Sequence, residues 1–83
     1  MSEISELEKA VDDFATEMKA RLRVKAKQGW RGWRYIGCAG LCFRMVKNAE
    51  KAAKKDDRKS LIDVANLAMI IHYQATHPEM EDF

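Results

Sequence analysis

No aspartate or glutamate stands between Glu17 and Glu50. Over the same interval there are nine basic side chains: Lys19, Arg21, Arg23, Lys25, Lys27, Arg31, Arg34, Arg44 and Lys47. The whole chain carries a formal net charge of only +2, so charge is segregated rather than excessive. A long stretch of one sign calls for an anionic partner or a counterion atmosphere. A phosphate-bearing ligand meets the first need, and a solvated basic helix face meets the second.

Cysteine is scarce, with Cys38 and Cys42 alone. Their i,i+4 spacing puts both on one helix face, which speaks against a disulfide between them, and nothing points to a secreted framework. Two sulfurs with no nearby histidine make a poor zinc site, so they read as small apolar packing residues. No apolar run approaches the length of a membrane span, and the N-terminus alternates acids with apolar residues, unlike a signal peptide. The expectation is a cytoplasmic protein with no membrane partner. Glycine-rich phosphate loops, serine–histidine–acid sets and glycine-flanked nucleophiles are missing, and no cofactor is implied. Nothing alternates in the manner of a strand, which leaves an all-α fold.

Eighty-three residues make one domain, and a chain this short buries little of its surface. Oligomerisation is the usual remedy, and the apolar content of 47% supplies an interface. Residues 1–76 read as a single helical domain and 77–83 as an acidic mobile tail. Ser5-Glu6-Leu7-Glu8 fits a capping box that starts a first helix near Ser5. Ile4, Leu7, Val11, Phe14, Met18 and Leu22 then recur every three or four residues, predicting an amphipathic helix to about Lys27. Its first half is acidic and its second half basic, which complements the helix dipole and explains part of the charge segregation.

Gln28 to Arg34 reads as a loop with two glycines, Gly29 and Gly32. It holds Trp30-Arg31-Gly32-Trp33-Arg34, where indoles alternate with guanidiniums. Two roles fit the indoles: one buried for packing, the other free to stack on a base or meet a cation. A second helix is predicted from about Ile36 to Lys54, with Cys38, Leu41, Cys42, Met45, Ala49 and Ala52 facing inward. Arg44, Lys47, Lys51, Lys54 and Arg58 follow the same spacing on another face. Gly37 and Gly40 weaken its start. Asp56-Asp57 breaks the pattern and caps a third helix to about Gln74, ended by His77-Pro78. The third helix is apolar on more than one face, so it is either central or part of a subunit interface. Asp63 and Asn66 sit i,i+3 on it, and such polar groups either bond to a neighbour or line a site. His72 reads as a surface residue.

Leu61-Ile62-Asp63-Val64-Ala65-Asn66-Leu67-Ala68-Met69-Ile70-Ile71 resembles the last core helix of MazG-like nucleotide pyrophosphohydrolases. Small members of that family, often encoded by phages and prophages, carry an Asp-Val-Ala-Asn-x-Ala-Met-like string there. Lys27-Gln28-Gly29-Trp30 is similar to the Lys-Gly-Gly-Trp turn before the family's first metal-binding helix. The likeness spans roughly Phe14 to Tyr73. It implies a three-helix MazG-like bundle completed by homo-oligomerisation. The family holds magnesium on a Glu-Glu-x-x-Glu helix and a Glu-x-x-Asp helix, where the metal binds triphosphate and activates water. By position the first motif falls near Lys47, Asn48 and Lys51, and the second on Ser60 and Asp63. Only Asp63 keeps its carboxylate; Glu50 replaces one ligand only if the register slips.

Lysines where carboxylates held metal bind phosphate directly but make no nucleophile. The resemblance therefore implies a non-catalytic nucleotide-binding protein, possessing no metal, that sequesters a nucleotide in phage counter-defence, in the host cytoplasm. Arg44, Lys47 and Lys51 would hold phosphates, Trp30 or Trp33 would stack on a base, and Asp63 and Asn66 would meet base or sugar or orient the lysines. Arg31 and Arg34 extend the basic surface. Three alternatives compete: an inhibitor that binds a host protein through its Trp/Arg surface, non-specific nucleic-acid binding, and active pyrophosphohydrolysis, for which the acids are missing.

Overall fold

The computed structural model describes residues 2–77. Three helices account for most of them: α1 (Glu3–Lys27), α2 (Cys38–Lys55) and α3 (Arg58–Thr76), with a short 3-10 turn at Trp33–Tyr35 between the first two. No strand occurs among the described residues, and none of their helices is long and apolar enough to cross a membrane. Pro78 and the acids of the expected tail, Glu79, Glu81 and Asp82, lie outside the described residues.

The helix ends follow local chemistry. Ser2, not Ser5, caps α1: its Oγ accepts from the Ser5 amide at 3.2 Å. The helix thus begins a few residues earlier than the capping-box reading, because Ser2 also offers a hydroxyl three residues ahead of a free amide. Gly29 and Gly32 adopt φ of 88° and 77°, a region costly for residues with a Cβ, so these two glycines let the chain reverse after α1. Asp56, at φ 51°, ends α2 in the left-handed conformation. Asp57 then caps α3, accepting from the Lys59 amide at 3.0 Å and the Ser60 hydroxyl at 3.0 Å.

α3 is the central element: α2 and α1 both pack on it, and α1 and α2 do not pack directly on each other. The core is small, with Leu41 from α2 and Leu67 and Ile70 from α3 buried together. Trp30, Trp33, Ile36, Met45 and Ile71 close around them. Gln74 pins the loop to α3, its Nε2 donating to the carbonyls of Trp33 at 3.1 Å and Ile36 at 3.2 Å.

Two apolar stripes read from the sequence are buried only in part. In α2 the inner residues are Leu41, Met45, Asn48 and Ala52, while Cys38, Cys42 and Ala49 are exposed. The cysteines are therefore not packing residues; their Sγ atoms lie 3.9 Å apart at the surface, and their mutual hydrogen bond raises the Cys42 thiol pKa. The expected face was shifted by small residues that counted as apolar without being large enough to need burial. In α1 only Met18 and Leu22 of the predicted stripe are half-buried; Ile4, Leu7, Val11 and Phe14 are exposed. α3 covers the second half of α1 and leaves the first half projecting.

Candidate functional site

Because the backbones of α1 and α2 lie apart on either side of α3, a pocket opens between them with α3 as its floor. Its volume is about 260 Å³. Leu22 and Lys25 come from α1, Trp30 from the loop, and Arg44, Lys47 and Asn48 from α2. Asp63, Asn66 and Leu67 form the α3 side. Helical spacing explains the convergence: Arg44, Lys47 and Asn48 share one face of α2, and Asp63, Asn66 and Leu67 share one face of α3.

Three cations thus meet one carboxylate, and that carboxylate is engaged. Arg21 donates to Asp63 through Nε at 2.9 Å and through Nη2 at 3.2 Å, and Lys25 Nζ lies 3.9 Å from the same group. The Arg21 and Asp63 side chains are mostly covered, at 20% and 14% exposure. The hydrogen bond to Asp63 raises the guanidinium pKa above its ordinary value, outweighing the opposing effect of burial. Among the described residues no carboxylate lies within ion-pair distance of Arg44 or Lys47. Lys47 leans over the Phe43 ring, with Nζ 4.9 Å from its centroid, a contact that leaves the ammonium charge in place.

Asn66 is the most constrained polar group of the site. It is only 4% exposed, and its Nδ2 donates to the Met18 carbonyl at 3.2 Å. That bond fixes the amide, since only the nitrogen can donate to a carbonyl. Oδ1 is consequently turned away from Met18, and it is buried with no hydrogen-bond partner among the described residues. Buried acceptors without partners are uncommon and costly.

Of the nine residues singled out from sequence, the pocket gathers Trp30, Arg44, Lys47, Asp63 and Asn66. The other four lie elsewhere. Arg31 folds back on the end of α1, donating to the carbonyls of Ala26 at 2.9 Å and Trp30 at 3.1 Å. Trp33 packs on the core and meets Tyr73 edge-on, with centroids 5.9 Å apart. Arg34 sits 5.4 Å from the Trp33 ring centroid. Lys51 faces Asp57 at 4.0 Å. The alternating Trp/Arg run is therefore not one continuous surface, and both indoles pack against the core, with Trp30 also walling the pocket. Lys25, Leu22 and Arg21 were not expected at the site, and Asn48 was expected only at a position that the resemblance assigns to a metal ligand. A clue was present: an aspartate on a greasy helix demands a cation, and Arg21 and Lys25 stand i,i+4 on one face of α1.

Lysine, asparagine and serine occupy most of the positions that the resemblance assigns to metal ligands, and Asp63 is bound to Arg21. Among the described residues no three His, Cys, Asp or Glu side chains gather in a way that would hold a metal. No family model, curated protein or solved structure matches this chain.

Proposed function

We propose that the protein binds a phosphate-bearing small molecule, a nucleotide in the first instance, between α1 and α2 without turning it over. The observation that carries this reading is the convergence of Lys25, Arg44 and Lys47 on a pocket whose lining carboxylate is already neutralised by Arg21. An excess of cations in a partly enclosed space favours an anion. Trp30 offers an aromatic wall for a base, worth about 1–3 kcal/mol per stacked base. The unpartnered Asn66 Oδ1 awaits a donor, such as a ribose hydroxyl or a base N–H.

The volume bounds the ligand. At about 260 Å³ the pocket falls just below the roughly 300–1,000 Å³ of ordinary small-molecule sites. It accommodates part of one nucleotide, the rest standing at the open mouth. In this reading lysine has replaced carboxylate on a MazG-like framework of phage type, so the phosphates are held directly and no group is left to activate water. The cellular role is sequestration.

Thermal shift with linear and cyclic nucleotides, with and without magnesium, tests the proposal alongside product analysis. A ligand that binds only the folded state raises Tm by mass action. The expected result is a metal-independent shift, recovery of the nucleotide intact, and loss of the shift in Lys47→Glu, a variant at an exposed position that leaves the fold in place. Turnover, or binding that needs magnesium, would refute it.

A further inference from the structure

The first half of α1 has no packing partner among the described residues. Residues 2–14 are all exposed, yet Ile4, Leu7, Val11 and Phe14 stand on them at alternating spacings of three and four, with 64%, 56%, 67% and 40% of their surfaces open. That spacing is the a/d seam of a helix built to lie along another helix. An arm of this kind, about 18 Å long from residue 3 to 14, is a large apolar patch for so small a chain. A second open apolar stripe lies on α2, where Phe43 and Val46 are 62% and 55% exposed and Phe43 is met by the Lys47 ammonium.

Charge separates these two stripes. Residues 3–17 of the arm hold six acids against one lysine. On α2, Lys47 and Lys54 flank the Phe43–Val46 stripe at helical spacing and Glu50 is the single acid beside it, so this face is net basic. Two arms laid together would set like charge against like, whereas an arm laid on α2 sets acid against base. The arm does not reach α2 of its own chain, because α1 and α2 are separated by α3.

We propose that a second copy of this chain covers the arm: the apolar stripe of α1 from each copy lies on the Phe43–Val46 face of α2 of the other. Under two-fold symmetry the contact occurs twice, so both open stripes are buried at once. Such a dimer extends the small core of each chain and adds one helix to its three.

The test is the mass in solution, by light scattering behind size exclusion, of the full chain and two variants. The wild type is expected at twice its 9.6 kDa. Leu7→Asp and Phe43→Asp are each expected at the single mass, with helical circular dichroism retained, since both residues are exposed. Mixing the two variants should restore a dimer, because the intact arm of one meets the intact α2 of the other. A monomeric wild type at about 100 μM, far above the Kd of an ordinary specific interface, would overturn the proposal. A dimer that survives Phe43→Asp, or a mixture that stays monomeric, would also overturn it by pointing to arm-on-arm pairing or another face.

Discussion

Replacing Asp63 by asparagine separates stability from binding in opposite directions. The substitution keeps the shape and one hydrogen bond from Arg21 but removes the only carboxylate lining the pocket, among the described residues. Breaking one side of a fully buried ion pair costs about 3–5 kcal/mol, and an exposed pair contributes about 0–1 kcal/mol. With side chains 20% and 14% exposed, this pair sits between, and about 2 kcal/mol is expected. For a domain of this size that lowers Tm by roughly 8–16 °C. Binding should move the other way. Taking one negative charge from about 8 Å away, at an effective dielectric between about 20 and 80, stabilises a bound phosphate by roughly 0.5–2 kcal/mol. Asp63→Asn should therefore bind pyrophosphate or a mononucleotide about 2- to 30-fold more tightly, by calorimetry without magnesium and well below the lowered Tm. Unchanged affinity would mean that the anion does not sit in this pocket. Weaker affinity would mean that the carboxylate itself grips the ligand, and the assignment of Asp63 to Arg21 and Lys25 would fail.

Four further outcomes follow from the same geometry. Trp30→Ala should weaken a mononucleotide by about 10-fold or more while leaving pyrophosphate nearly unaffected, since only the base uses the indole; equal losses would deny stacking. Leu41→Ala removes a side chain with no exposed surface, and about 3–5 kcal/mol should be lost in urea unfolding, a large share of the roughly 4–12 kcal/mol of a domain this size. Gly32→Ala forces a Cβ onto φ 77° and should cost about 1–2 kcal/mol on the same axis. Asp57 supplies the acid limb: its hydrogen bonds from Ser60 and from the Lys59 amide, together with Lys51, hold its pKa below the usual carboxylate value. A depressed pKa contributes stability that is full above the unfolded value of about 3.9 and is lost as pH falls through the lower folded value. Asp57→Asn should flatten that part of the pH–stability curve, measured by denaturant titration at successive pH values.

Arg44, Lys47 and Lys51 are equally periodic, so nothing local separates them. The structure sends the first two to the pocket and Lys51 to Asp57. The same holds for the two indoles, which differ by whether the loop turns each toward α1 or toward Tyr73.

By itself the sequence determined the number of helices, their approximate ends and the reversal at the glycines. Capping, left-handed turns and helical propensity act within a few residues and leave their mark in neighbouring letters. It also indicated that Asp63 and Asn66 needed partners, because a polar group on an apolar helix carries that cost wherever it is placed. Only the tertiary structure decided which partners they have, since Arg21 and Met18 are more than forty positions away in the chain. It likewise decided that half of the α1 stripe stays in solvent and that the cysteines face outward. Periodicity states that a helix has a sticky side; which neighbour covers that side, and over what length, is fixed by how the helices cross.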